Sequence, residues 1–191
     1  MTPATPRREP TTGREPGVTT AQTSPETSPG ASPEIRQALD DADAAFARLD
    51  DALAACSDGD LHRAHRDGGW TVAQVVSHIH VCTIVWLGDL RRLECDPDLR
   101  FFFREAIGHD LTGYPPPTIE IAREQLASTR RTFATAGPVL DADLAAREVE
   151  IPDLGTMTVE AWTPLIVGHA ASHVDQALEI MRDRGFGPEG I

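Results

Sequence analysis

Residues 158–185 read TVEAWTPLIVGHAASHVDQALEIMRDRG, and this stretch decides the fold. Its inward residues recur at alternating spacings of three and four, which is typical of an α-helix with one buried face. That stripe consists of Val159, Trp162, Ile166, His169, His173, Gln176 and Ile180. We therefore predict a helix from Thr158 to Arg184 that ends at Gly185, with Pro164 either kinking it or delaying its start.

Two amphipathic segments with clear start signals lie earlier in the chain. The first begins at Ser32-Pro33-Glu34, where a capping side chain precedes a proline in the first turn, and should end near Cys56. The second begins at Thr71, which forms a T-x-x-Q capping box with Gln74. It should stop before Asp96-Pro97, because the residue before a proline avoids the helical conformation.

A third amphipathic segment and a long connection complete the pattern. The segment covers roughly residues 118–136, and Gly137-Pro138 should end it. Residues 96–117 are long for a link between antiparallel neighbours and suit a crossover, with a short helix near 98–106. Residues 148–158 fit a small hairpin. The sequence predicts an all-α fold, a four-helix bundle with this crossover between its second and third helices.

Domain organisation follows from composition. Residues 1–32 are rich in Thr, Pro, Ser and Gly and contain almost no large apolar side chain. They cannot bury enough surface to offset the entropy of ordering, so we expect a disordered tail. Residues 33–191 should form the single bundle domain.

Charge and composition exclude several classes of function. The net charge is −13, and the whole excess lies beyond the tail, which holds three arginines and three glutamates. A domain this acidic repels phosphate backbones and anionic lipids, so neither nucleic acid nor a membrane is expected as a partner. The chain has no lysine, which excludes Schiff-base chemistry.

Compartment is indicated by the cysteines and by hydropathy. The three cysteines, Cys56, Cys82 and Cys95, are odd in number and have no CxxC spacing, so we expect a reduced, cytoplasmic protein. No stretch is expected to be apolar enough to span a membrane, and no secretory apolar region follows Met1.

Two histidines, four residues apart on the inward stripe, are the first candidates for chemistry. His169 and His173 lie one above the other on a helix and can converge on one metal ion. The alternative is a pair of hydrogen-bonded core histidines. His78 flanks the inner stripe of the second helix and is the best third ligand, unless it is a boundary histidine that contacts water. His80 lies on the opposite side of that helix and should face solvent.

Other residues near these histidines allow two interpretations each. Cys82, one turn beyond His78, could approach a metal as a thiolate or be a small core residue. Gln176, one turn beyond His173, could orient a ligand or merely complete a polar layer. The tryptophans, including Trp70, are interpreted as packing anchors. Ala170 stands where an H-E-x-x-H protease carries its glutamate, which disfavours a metalloprotease.

Two separated motifs resemble the DinB/YfiT-like family. Residues 68–79, GGWTVAQVVSHI, are similar to its first-ligand motif, and residues 151–158 with the following His169, His173 and Gln176 are similar to its H-x₃-H-x₂-Q element. The resemblance covers roughly residues 33–186. It implies an up-down-down-up bundle and a divalent metal ion, often zinc or nickel, on His78, His169 and His173.

The resemblance also implies a range of activities. Family members include metal-dependent hydrolases, bacillithiol S-transferases and mycothiol-dependent isomerases, and some are homodimers. The thiol-transferase branch carries Arg and Lys further along its second helix, where this chain has Val85-Trp86-Leu87-Gly88-Asp89. A hydroxyl residue is common in the family where Cys82 stands. The metal site therefore transfers by position, whereas the substrate pocket does not.

These observations lead to a hypothesis with two rivals. A divalent ion on three neutral imidazoles keeps its charge and can activate a nucleophile near neutral pH. The hypothesis is a metal-dependent enzyme that activates a low-molecular-weight thiol of the mycothiol or bacillithiol type for attack on a small electrophilic substrate. Activation of water, giving a hydrolase, is the nearest rival. The other rival is a non-catalytic bundle whose metal only rigidifies a binding or interaction module.

Overall fold

The structure, a computed structural model, describes residues 30–65, 69–96, 98–99, 117–151 and 154–188. Within these ranges the chain forms six helices and one β-hairpin. In chain order they are α1 (Pro33–Leu53), α2 (Asp58–Leu61), α3 (Val72–Cys95), α4 (Ile119–Val139), α5 (Ala142–Ala145), β1 (Glu148–Ile151), β2 (Gly155–Thr158) and α6 (Val159–Arg184). The four long helices are α1, α3, α4 and α6.

The start and stop signals in the sequence act as predicted. The Ser32 hydroxyl accepts a hydrogen bond from the Ile35 amide at the start of α1. The Thr71 hydroxyl accepts from the Gln74 amide at 3.2 Å, and the Gln74 side chain accepts from the Thr71 amide at 2.8 Å. Gly185 ends α6 with a φ of 72°, a left-handed conformation that favours glycine.

Contacts between the long helices fix their relative directions. On α3, Trp86 packs against Trp162, near the start of α6, with ring centroids 6.4 Å apart, whereas the earlier His78 meets the later His169. These two helices are therefore antiparallel. Along α4, by contrast, Ser77 lies beside Gln125 and Trp86 beside Phe133, so α3 and α4 are parallel.

Ion pairs show how α1 completes the bundle. Arg130 and Arg123 of α4 reach Asp43 and Asp50 of α1 at 2.7 and 2.8 Å, so the later residue on one helix meets the earlier on the other. The helices α1 and α4 are therefore antiparallel. Arg48 and Asp175, both in the second halves of α1 and α6, approach to 3.4 Å, so this pair is parallel. The bundle is up-down-down-up, as the resemblance implied.

Large apolar side chains fill the centre of the bundle. Phe46 packs edge-on against Phe133 with centroids 5.2 Å apart, and Phe133 in turn contacts Trp86. Trp86 and Trp162 are fully buried. Burial of such rings is the main stabilising term of a bundle core, because each removes a large apolar area from water. This layer lies next to the level at which the histidines of α3 and α6 meet.

The predicted hairpin is confirmed and leads directly into α6. Its strands pair antiparallel, with Glu148 opposite Thr158 and Ile151 opposite Gly155. Gly155 has a φ of 84°, which a residue with a Cβ rarely adopts. The Thr158 hydroxyl then accepts from the Ala161 amide and caps α6. The hairpin therefore sets where the helix with the two histidines begins.

Two predictions about these elements need correction or completion. The helix predicted to end at Gly137-Pro138 continues to Val139, and the Leu140 amide still bonds the Ala136 carbonyl at 3.1 Å. A proline this close to a helix end removes one hydrogen bond without breaking the last turn. Helix α6 likewise runs without interruption through Pro164. Of the tail predicted over residues 1–32, residues 1–29 lie outside the described residues, as does most of the short helix predicted at 98–106. Within residues 30–32, Ala31 is buried and Ser32 caps α1, so ordered structure begins slightly earlier than predicted.

The expectation that no stretch could span a membrane was too strong. By length and composition α3 is sufficiently apolar, with a mean hydropathy of 1.2 over its best window. However, 56% of that window is buried inside the protein, as expected for the core helix of a bundle.

Candidate metal centre

Three histidine side chains converge between α3 and α6. His78 lies in the second turn of α3 and is 2% exposed, while His169 and His173 are half-buried on α6. The His169 Nε2 atom lies 3.2 Å from His173 Nε2 and 3.4 Å from His78 Nε2. One ring nitrogen from each histidine lies within 4.8 Å of the others.

This spacing suits a shared cation. Zinc–nitrogen bonds of about 2.0–2.1 Å in a tetrahedral site place the ligand nitrogens about 3.3 Å apart. The two Nε2 separations, 3.2 and 3.4 Å, bracket that value. The donor set is three imidazoles, and no carboxylate joins it in the described part of the chain. The residues present therefore fit a divalent metal ion.

Burial and neighbouring charges favour the unprotonated form of His78 and His169. Burial, followed by the neighbouring His173 and His169, lowers the pKa of His78 to about 4. Burial, followed by His173, also lowers the pKa of His169. A neutral imidazole carries a lone pair on one ring nitrogen, which is the form that binds metals.

Two neighbouring side chains fix the orientation of His173. Its Nδ1 donates a hydrogen bond to Gln176 Oε1 at 2.7 Å, which leaves Nε2 as the atom with the lone pair. The Trp70 ring stacks on His173 with centroids 5.7 Å apart and an interplanar angle of 12°. The same indole meets His78 edge-on at 4.8 Å. Trp70 and Gln176 together restrict how the His173 ring can rotate.

Cys82 is a buried neighbour of the cluster. Its Sγ lies 3.6 Å from His78 Nε2 and 3.7 Å from Nδ1, so it rests against the ring. Burial raises the pKa of the Cys82 thiol to about 12. At neutral pH the group is a neutral thiol, which favours its interpretation as a small core residue over that of a thiolate ligand.

The remaining described histidines lie outside the cluster. His80 is half-buried, and its Nδ1 lies 3.3 Å from Thr129 Oγ1. The prediction that it faces solvent is wrong, because α4 packs against that side of α3. His65 Nε2 lies 3.0 Å from a carboxylate oxygen of Asp183, and His62 is exposed. His109 lies outside the described residues.

Trp70 is the site residue that the sequence analysis undervalued. Trp70 packs against the hydrophobic core, as predicted, but it also contacts His78 and His173, which the sequence analysis did not anticipate. The signal was its position directly before the capping box of Thr71, which places it beside the first turns of α3. Trp86 and Trp162 pack in the core as predicted.

Comparisons with known proteins agree with this architecture. A family model described as the DinB superfamily matches residues 41–177. No curated protein matches the chain. Among solved structures, YfiT from Bacillus subtilis superposes with a TM-score of 0.64 at 20% identity, covering 81% of this chain and 90% of that one. It is described as a probable metal-dependent hydrolase with an unusual four-helix bundle topology. At this identity the likeness shows the fold.

Proposed function

The chain belongs to the DinB superfamily, and we propose that it is a metal-dependent enzyme in which His78, His169 and His173 hold one divalent ion, zinc or nickel. The convergence of three Nε2 atoms, two pairs of them at 3.2 and 3.4 Å, carries the proposal. Burying three imidazoles this close together is unfavourable unless a partner satisfies their lone pairs. The description of YfiT as a probable metal-dependent hydrolase supports the same class of function.

The neutrality of the three proposed ligands determines the charge, and hence the reactivity, of the bound ion. An ion held by imidazoles alone keeps its double positive charge and, when bound, lowers the pKa of a nearby water or thiol towards neutrality. We propose that the nucleophile is water or a low-molecular-weight thiol of the mycothiol or bacillithiol type. The substrate is a small electrophilic molecule. Neither nucleic acid nor a membrane is proposed as a partner, because the domain is strongly acidic.

The protein side chains around the cluster have separate parts in this proposal. Gln176 holds the proton on Nδ1 of His173 and thereby keeps Nε2 available. Trp70 stacks on His173 and meets His78 edge-on, and we propose that it thereby limits the access of water to the two rings. Burial raises the pKa of the Cys82 thiol in the metal-free protein, so we assign Cys82 no part as a nucleophile. Ala170, buried beside the ligands, offers no carboxylate to act as a general base.

The test is the metal content of the purified full-length protein. We expect about one divalent ion per chain after metal loading and dialysis, and a loss of that ion in His78→Ala. His62→Ala is the matched control, because it removes an exposed histidine outside the cluster. A wild-type protein without stoichiometric metal under metal-replete conditions would overturn the proposal.

Activity assays separate the two nucleophiles and the non-catalytic rival. Metal-loaded protein is tested on ester and amide substrates without thiol, and on electrophiles with mycothiol or bacillithiol. Turnover that needs the thiol identifies a transferase, and turnover without it identifies a hydrolase. An apo protein that unfolds, together with a bound metal that accepts no exchangeable ligand, would instead show a structural ion.

The proposal also covers the cellular compartment and the oligomeric state of the protein. We propose a cytoplasmic protein, because its three cysteines form no disulfide in the structure. A homodimer, which the resemblance implies, is proposed as the assembly. Sedimentation of the metal-loaded protein tests it, and a monomer at micromolar concentration would contradict it.

A further inference from the structure

A small cavity adjoins the three-histidine cluster. It lies between the segment before α3 and the second half of α6, has a volume of about 230 Å³, and is lined by His65, Gly69, Trp70, Gln176, Glu179 and Ile180. Pockets that enclose whole ligands measure roughly 300–1,000 Å³, so this cavity suits one head group of a larger molecule.

Two of the lining residues connect the cavity to the candidate metal centre. Trp70 stacks on His173, and Gln176 accepts the hydrogen bond from His173 Nδ1. Each of these side chains therefore touches both the cavity and a proposed metal ligand. A group bound in the cavity lies one side chain away from the proposed reaction centre.

The chemistry of the lining favours a positive charge. Glu179 contributes a carboxylate and Trp70 an indole ring, and an organic cation is attracted to both. A second carboxylate, Asp183, lies 3.0 Å from His65 at the edge of the cavity. No arginine lines the cavity in the described part of the chain.

Among the described residues, Arg63 lies two positions before His65 and is engaged elsewhere. It forms an ion pair with Asp60 at 3.2 Å, and its guanidinium lies over the Phe186 ring at 5.8 Å from the centroid. Arg66 lies outside the described residues. The domain as a whole is acidic, with 30 carboxylates against 17 arginines over the full chain. That field raises the local concentration of cationic ligands around the molecule.

The geometry points to this cavity as the binding subsite for an organic ammonium group, so that the substrate class of the neighbouring metal centre is a cationic small molecule. The inference rests on the proposed function, because it names the substrate class of the same site. Glu179 and the Trp70 face recognise the cation, and the rest of the molecule extends past Gln176 towards the histidines.

The test compares choline with its neutral carbon isostere, 3,3-dimethylbutan-1-ol, by calorimetry on the full-length protein. Choline should bind about tenfold more tightly, because only the cation gains the ion-pair and cation–π attraction. In Glu179→Gln the affinity for choline should fall about 1.5- to fivefold, which is the range for a solvent-exposed ion pair. Asp175→Asn is the matched control, since it removes an exposed carboxylate one turn away that does not line the cavity.

Both measurements are made on metal-loaded and on chelator-treated protein. Choline binding in the chelator-treated protein, with no stoichiometric metal in the loaded sample, would reject the proposed metal enzyme and leave the cation subsite standing. Equal affinity for choline and the isostere, an absence of choline binding, or an unchanged affinity in Glu179→Gln would each overturn the subsite while leaving the metal measurement untouched.

Discussion

Acidification should destabilise the metal-free protein through His78. This ring is 2% exposed and its pKa in the folded protein is about 4, against 6.5 for an unperturbed histidine. In the unfolded chain the same ring takes up a proton near 6.5, so below that pH the unfolded state binds more protons than the folded state. The contribution of His78 to the free energy of unfolding is therefore fully present above about pH 6.5 and is lost as the pH falls towards 4.

Proton linkage gives the size of this effect. With a folded-state pKa of about 4 and an unfolded value of 6.5, protonation of His78 lowers the free energy of unfolding, relative to neutral pH, by about 2 kcal/mol at about pH 5 and by about 3 kcal/mol at about pH 4. Other groups also titrate in this range, including His169 and His80, whose pKa values burial lowers from the usual value. The contribution of His78 therefore has to be isolated by comparison with a variant.

The assay is urea unfolding with excess chelator at about pH 7.5 and about pH 5, on the wild type, His78→Gln and His62→Gln. Between these two conditions the wild type should lose about 2 kcal/mol more than His78→Gln. The exposed His62→Gln control should follow the wild type. If the wild type and His78→Gln lose the same free energy, within about 0.5 kcal/mol, then burial does not control the titration of His78.

Three further predictions concern the support of the site and the ends of its helices. Gln176→Leu should weaken metal binding about 10- to 100-fold in a chelator competition, because His173 loses the acceptor that fixes its proton. The control variant Asp175→Asn should bind the metal as tightly as the wild type. Equal metal affinities in the two variants would refute the orienting role of Gln176. Thr71→Ala should lower the free energy of unfolding by about 1 kcal/mol, measured by urea denaturation, since it removes the cap of α3. Gly185→Ala should lower the free energy of unfolding by about 1 kcal/mol in the same assay, because alanine rarely adopts a φ of 72°. An unchanged free energy of unfolding would contradict the left-handed end of α6.

Sequence alone predicted the elements because their signals are local. The Thr71–Gln74 box and the helical stripe need no knowledge of the rest of the chain, and both appear in the structure. The end of α4 was misplaced, because one lost hydrogen bond at Pro138 is too small a cost to stop a helix that packing already holds. Packing against neighbouring helices, which are distant in sequence, therefore determined where α4 ends.

The candidate site was less predictable than the helices, because it too depends on contacts between residues that are distant in sequence. The i, i+4 spacing brings His169 and His173 together on one helix, but the contact of His78 with them depends on the antiparallel packing of α3 and α6. His80 was assigned to solvent from its angle around α3, and only the position of α4 shows that it is covered. The stacking of Trp70 on His173 depends on the path of the segment before α3, which no periodic pattern reveals.

The distribution of the three histidines along the chain also determines when the centre can form during synthesis. His78 and His169 are 91 residues apart. At translation rates of about 5–20 residues per second, roughly 5–20 s separate the appearance of the first histidine from that of its partners. A nascent or truncated chain that stops before the last helix contains only one of the three histidines of this cluster, and a single imidazole holds a divalent ion only weakly. Under the proposed function, the metal site is therefore completed only after residue 173 has been synthesised, and chains cut short before residue 169 lack two of its three ligands.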